Sequence, residues 1–95
     1  MNFLRRMMRR IEQSSIFKRQ KKRIDRSGGY RIVMETRFKH AILTLANDYH
    51  DHDLHGNWEG YRECHLAFDL LLVYRYEDNS LILERLGSHS EVLGL

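Results

Sequence analysis

Proline is absent from the sequence, and cysteine occurs once, as Cys64. A single thiol excludes an internal disulfide and any zinc site built on cysteine pairs, and it suits a reducing compartment. No apolar run approaches the roughly 20 residues that a membrane-spanning helix needs. The opening MNFLRRMMRR carries positive charge with no apolar segment behind it, which argues against a secretory signal. The expected location is therefore the cytoplasm. There is no GxxxxGK(S/T) or GxGxxG phosphate loop and no recognisable Ser/His/Asp nucleophile arrangement. Internal repeats and low-complexity tracts are missing too, so nothing reads as a linker. At 95 residues the chain is one domain, and a hydrophobic fraction of 42% allows a modest core.

Negative charge is scarce in one region. Residues 1–26 hold ten Lys and Arg against Glu12 and Asp25, a net of +8, whereas residues 27–95 hold six against eleven acids, a net of −5. A basic segment this concentrated suggests a polyanionic partner, although a lysine-rich helix is commonly just solvated. Lys18, Arg19, Lys21, Lys22, Arg23 and Arg26 are the candidate contacts.

Met7 and Met8 are alternative starts, so residues 1–8 are a candidate disordered extension and residues 9–95 the domain. Arg9–Ser14 alternates weakly, as an edge strand would. Ser14 and Ser15 can cap a helix that carries Phe17, Gln20 and Ile24 on one side and ends at Gly28-Gly29. Met34, Phe38, Ala41, Ile42 and Leu45 recur at helical spacing from Ile32 to Ala46. Asn47 to Gly60 reads as a long polar loop, long enough to hint at function. Three strands follow: Tyr61–Phe68, Leu70–Tyr76, and Leu81–Leu86 beyond a turn at Glu77–Ser80. The order β-α-α-β-β-β predicts an α+β fold, a small antiparallel sheet packed on one side by an N-terminal helical hairpin.

Alternation along Tyr61–Phe68 puts Arg62, Cys64, Leu66 and Phe68 on one side, with Cys64, Leu66 and Phe68 expected in the core. Tyr61, Glu63, His65 and Ala67 fall on the other side, joined by Asp69 if the strand stays regular. His52 and His55 precede this strand and His89 follows the last one, so the strand ends can gather imidazoles and carboxylates. Such groups titrate near neutral pH and suit general acid–base chemistry. A lone histidine on a strand is usually only solvated. His50, His52 and His55 with Asp51 and Asp53 have a weak metal-ligand spacing. Trp58, bracketed by Gly56 and Gly60, reads as a packing residue. Acid–base groups beside a basic half-protein are enough to cleave RNA, whose 2′-hydroxyl is an internal nucleophile.

The stretch HDLHGNWEGYRECHLAFDLLLVYRY, followed by LILERLGSHSEVLG, resembles the YafQ branch of the RelE/ParE toxin superfamily. The family pattern runs H-x-L-x-G-x-W-x-G-x-R-(D/E)-x-H, then an Asp leading an apolar strand, then R-x-G-(S/T)-H. The match extends from His52 to Gly94. It implies a RelE-like fold and a type II toxin that cleaves mRNA on the translating ribosome, an mRNA interferase without a cofactor or metal. It also implies a cognate antitoxin from the same operon, operator DNA binding only through the toxin–antitoxin complex, no membrane partner and a monomeric free toxin. Matched positions suggest His52, Glu63, His65, Asp69 and His89 as the active site. Glu63 or His65 would be the general base, His89 the general acid and Arg85 the charge stabiliser, with His52 and Asp69 positioning groups. The basic residues of the first helix would grip ribosomal RNA.

Three residues depart from the family pattern. Glu63 stands where Asp is usual, and Leu70 and Leu93 stand where Trp and Phe are expected. Two other functions fit parts of the sequence. A ParE-type inhibitor that binds DNA gyrase would not need the acid–base set. A nucleic-acid-binding regulator would rest on the basic segment alone.

Overall fold

The computed structural model describes residues 10–44 and 52–94. The expected extension over residues 1–8 lies outside them, as do Leu45, Ala46, His50 and Asp51. Strand β1 (Arg10–Gln13) leads into helix α1 (Ser15–Ser27). Ser14 caps that helix, its Oγ accepting from the Phe17 N–H at 2.9 Å and donating to the Glu84 carbonyl at 2.8 Å. A cap of this kind is worth about 1 kcal/mol, and here it also pins the helix start to the sheet. Gly28, at φ 75°, closes α1 in the left-handed conformation that glycine adopts without strain.

A second helical segment, α2, runs over 31–44. It is α-helical at Arg31–Val33, widens to a π turn over Met34–Phe38, and returns to α over Lys39–Thr44. Then come β2 (His52–Asp53), a 3-10 turn at Gly56–Trp58, β3 (Arg62–Ala67), β4 (Leu70–Glu77), β5 (Ser80–Gly87) and a short helix α3 (His89–Leu93). The stretch expected to be one polar loop thus contributes an edge strand, and the C-terminal tail contributes a helix.

The sheet order is β1-β5-β4-β3-β2. All pairings are antiparallel except β1 with β5, which is parallel. The α+β architecture and the helical hairpin stand as expected. On one face α1 and α2 cover the main core. Phe17 and Ile24 from α1 and Met34, Phe38 and Ala41 from α2 pack on Cys64, Leu66, Leu70, Leu72, Tyr74, Leu81, Leu83 and Leu86. Phe17 and Phe38 stack with centroids 6.2 Å apart. The opposite face holds a smaller cluster of Leu71, Val73 and Val92, flanked by Leu54, Trp58, Tyr61 and Leu93. Leu70–Tyr74 is buried throughout because this central strand is covered on both sides.

Two irregularities decide which side chains face where. Between His65 and Ala67 the β3–β4 register slips, so two residues of β3 are spent against one of β4. Ala67 therefore packs against the helix-covered core with Leu66, instead of continuing the Glu63–His65 face. Phe68 is not in the core. It sits in the β3–β4 turn at 97% exposure, because the strand ends one residue before it. The second slip lies between Val73 and Tyr74 against Arg85 and Leu83. Without it Arg85 would share the buried face of Leu83; with it Arg85 stands opposite Val73 on the other face.

Candidate active site

The face bearing Leu71 and Val73 also gathers the titratable groups. β2 pairs with β3 so that His52 stands opposite Glu63, with His52 Nε2 2.8 Å from Glu63 Oε2. An ionised carboxylate can only accept, so the imidazole N–H donates. Glu63 is 6% exposed and is the buried charged residue of the described structure. Among the described residues its second oxygen, Oε1, is buried with no hydrogen-bond partner. A buried acceptor left open costs on the order of 1–3 kcal/mol, which packing alone does not account for.

His65 lies two residues further along β3, on the same face. Ring centroids are 6.1 Å apart for His52 and His65 and 5.5 Å for His65 and His89. A Glu63 oxygen and one ring nitrogen each from His65 and His89 all lie within 4.8 Å of one another. Glu63 and His65 lie on the face opposite Cys64 and Leu66, as alternation predicts, but that face is not wholly polar. They share their face with Leu71, Val73 and Val92, so one side of the cluster is dry.

His89 is presented by the first turn of α3. Ser88 Oγ accepts from the Glu91 N–H at 3.2 Å, and Glu91 Oε1 accepts from the Ser88 N–H at 2.9 Å, forming a capping box. The bond from the Ser88 backbone is the main reason the Glu91 carboxyl titrates below its ordinary range, with Arg23 assisting. Arg23 of α1 donates to Glu91 Oε2 at 2.9 Å, so a residue expected to meet RNA also braces the helix carrying His89. Gly87 has a separate role: a Cβ there would lie 2.8 Å from Glu91 Oε1 and 3.3 Å from Glu91 Cβ.

Asp69, in the β3–β4 turn, accepts from His89 Nδ1 at 2.8 Å and from the His89 backbone N–H at 3.1 Å. The side-chain bond is the largest cause of a lowered Asp69 carboxyl pKa, and the backbone bond is the next. The ionised carboxylate keeps the proton of His89 on Nδ1 and leaves Nε2 for chemistry.

Arg85 reaches the same face by the second slip. Glu63, Val73 and Arg85 form one cross-strand row, which puts Arg85 two strand spacings, about 10 Å, from Glu63 at the backbone. Its guanidinium donates to the Glu84 carbonyl at 2.9 Å and lies 5.3 Å from the Trp58 ring centroid. Trp58 also meets Tyr61 edge-on at 5.1 Å, consistent with the packing role expected of it.

The loop reading of a metal set is not what the fold assembles. His50 and Asp51 lie outside the described residues, Asp53 is bonded to Arg62, and His55 is exposed before the Gly56–Trp58 turn. Among the described residues the one cluster with metal-ligand geometry is Glu63, His65 and His89. On α1, Lys18, Arg19, Lys22, Arg23 and Arg26 are exposed, while Lys21 is half-buried, pairs with Asp25 at 2.8 Å and lies over the Phe38 ring at 5.8 Å. Sequence reasoning did not mark Arg37, which donates to the Leu66 carbonyl at 2.9 Å beside the β3–β4 turn, or the bracing role of Arg23. Neither carries a sequence signal, since both depend on contacts between distant segments.

With this geometry in place, the likeness to known proteins can be stated. The family model described as "Bacterial toxin of type II toxin-antitoxin system, YafQ" matches residues 9–94. The chain belongs to that family. It is 42% identical over 52 residues to the mRNA interferase toxin YafQ of Escherichia coli K12, a match spanning 55% of this chain and 56% of that protein. The chain thus spans about half the length of the curated relatives it matches. A copper-bound mutant toxin from Helicobacter pylori superposes with TM-score 0.78 at 35% identity, covering 90% of this chain and 99% of that one. The E. coli DinJ-YafQ complex superposes with TM-score 0.74 at 27% identity, over 92% and 100%. No helix among the described residues is long and apolar enough to cross a membrane.

Proposed function

We propose that this chain is a ribosome-dependent mRNA endonuclease, the toxin of a type II toxin–antitoxin pair, acting in the cytoplasm. The observation that carries the reading is the Glu63–His65–His89 cluster, with His52 behind Glu63 and Asp69 behind His89. RNA supplies its own nucleophile, so three tasks remain for the protein. Glu63 or His65 takes the proton of the 2′-hydroxyl as the oxygen attacks phosphorus. Arg85 offsets the charge that develops on the phosphoryl oxygens. His89, its Nδ1 held by Asp69, protonates the leaving 5′-oxygen from Nε2. The products are a 2′,3′-cyclic phosphate and a free 5′-hydroxyl. Each positioned acid or base contributes typically 10²–10⁴-fold. The exposed cations of α1 meet ribosomal RNA phosphates in a salt-dependent manner, and an antitoxin of the same operon masks the toxin, as the DinJ-YafQ complex suggests.

Mapping mRNA 5′ ends by primer extension tests this, after expression of the wild type and of a His65→Ala/His89→Ala double variant. Growth arrest with translation-dependent, in-frame cuts from the wild type alone supports the reading. Arrest by both proteins without new cuts would assign a gyrase-type binder instead.

A divalent ion has a defined place in this scheme. A copper-bound relative exists, and Glu63, whose Oε1 lacks a partner, fits an ion together with His65 and His89. A carboxylate and two imidazoles suit a borderline transition metal such as copper or zinc. Bound there, the ion would occupy the lone pairs that proton transfer requires, so we infer that it inhibits. On intact ribosomes at constant free Mg²⁺, cleavage should survive a chelator selective for transition metals and fall on titration with Zn²⁺ or Cu²⁺; loss of cleavage in that chelator, with ribosomes still intact, would refute the inhibitory role.

A further inference from the structure

Phe68 is the most exposed large apolar side chain among the described residues, at 97%. It serves neither the core nor the turn it occupies, since turns favour Gly, Asn, Asp, Ser and Pro for reasons a phenylalanine does not share. A single exposed apolar residue is unremarkable in itself; the position of this one is not. Its chain neighbour Asp69 holds His89 through two hydrogen bonds. The next residue, Leu70, is 1% exposed inside the helix-covered core, and Leu93 is half-buried against Leu71, Val73 and Val92. Trp58 and Tyr61 are engaged with each other and lie under Arg85 and Arg75. Among the described residues the fully exposed aromatic ring is that of Phe68, one residue from Asp69 in the β3–β4 turn, where a single strand of RNA crossing the Glu63–His65–His89 cluster would leave it.

Resting on the nuclease reading, we propose that Phe68 is the base-stacking, specificity-determining residue of this enzyme, its ring packing on a nucleotide beside the scissile phosphate. Every base has a π face, and stacking on an aromatic ring is sequence-tolerant but graded by base. The ring therefore anchors the message in the site and biases which bases are cut.

The test compares wild type, Phe68→Ala and Phe68→Trp on ribosomes programmed with a panel of messages. Single-turnover cleavage is measured, with affinity for a message carrying a 2′-deoxynucleotide at the cut site as a second readout. Phe68→Ala should lose roughly 5–150-fold in kcat/KM, the range expected for one stacked base. The loss should appear mainly as weaker binding of the uncleavable message, with a flatter base preference. Phe68→Trp should restore both, and thermal melting should stay unchanged. Equal cleavage and an unaltered cut profile in Phe68→Ala would overturn the proposal, as would a loss that Phe68→Trp does not recover. Unchanged cleavage with weakened antitoxin inhibition would also overturn it and place the ring at the antitoxin contact. If the wild type cuts no message, the nuclease reading itself fails, an outcome distinct from a wild type that cuts and an indifferent Phe68→Ala.

Discussion

The two faces of the central strands are built from the same backbone and serve opposite ends. On the helix-covered face, Phe17, Leu66, Leu72, Tyr74 and Leu86 are at most 1% exposed. The other face buries Leu71, Val73 and Val92, flanked by half-buried Leu54, Trp58, Tyr61 and Leu93, and beside them it carries Glu63, three imidazoles and Arg85. The first face stores stability. The second holds a buried carboxylate whose Oε1 has no hydrogen-bond partner among the described residues, a lone pair that the proposed general-base role would use. Altering one face should leave the other's property nearly intact, and the following outcomes test that separation.

The largest effect expected is on chemistry without stability. His65→Ala/His89→Ala should lose at least 10²–10⁴-fold in single-turnover cleavage while unfolding at the wild-type denaturant midpoint, because both rings are partly solvated. On the other face, Phe17→Ala should lower unfolding stability by about 3–5 kcal/mol, the range for truncating a buried Phe; a fully buried ring stacked on Phe38 leaves a void that α1 cannot close. Chemical denaturation reads this directly. A drop below 1 kcal/mol would mean that the helix hairpin contributes less than its packing suggests.

Glu63→Leu should separate the two properties in one protein. It fills much the same space without a desolvated carboxylate, and because the His52 ring that Glu63 engages is 51% exposed, its ring nitrogen can turn to water, which limits the cost of removing one member of the pair. Single-turnover cleavage should fall by roughly 10²–10⁴-fold if Glu63 is the base, while the denaturant midpoint stays close to the wild type's. Gly87→Ala should reduce cleavage by displacing Glu91, and with it the α3 turn that presents His89. About tenfold would follow if the imidazole shifts by a few tenths of an ångström, with melting altered little. The smallest effect belongs to Arg23→Ala. Its pair with Glu91 is exposed, at 65% and 44%, so its stability cost should stay below about 1 kcal/mol. A lower single-turnover cleavage rate with unchanged ribosome affinity would show that Arg23 acts by bracing α3 and not only through phosphate contact.

Much of this arrangement was legible in residue order because its causes are local. Ser14 before Phe17 and Ile24, with Gly28 beyond, specifies α1 through capping and periodicity. The LLLVYRY run specifies a strand buried on both faces. The spacing of His52, Glu63, His65, Asp69 and His89 carries the family resemblance, and the fold brings all five to one face. What residue order concealed were the two register slips. Alternation assigns Phe68 to the core and Arg85 to the face of Leu83; a bulge in β3 ends the strand early and leaves Phe68 in solvent, and a bulge in β5 turns Arg85 toward Glu63's row. A period of two amplifies any inserted residue into an inversion of every side chain beyond it, and nothing in the local sequence announces the insertion.

Local residue order accounts for the first helix with its two ends, the three long strands, the buried central strand and the identities of the acid–base groups, since these follow from propensity, periodicity and motif spacing among near neighbours; it did not disclose β2 or α3. Only the tertiary structure decided which face each group takes, that His52 stands against Glu63 and Asp69 against His89, and that Arg23 reaches Glu91 across 68 positions. Those choices depend on strand pairing and on packing between distant segments, where a single bulge outweighs the local pattern.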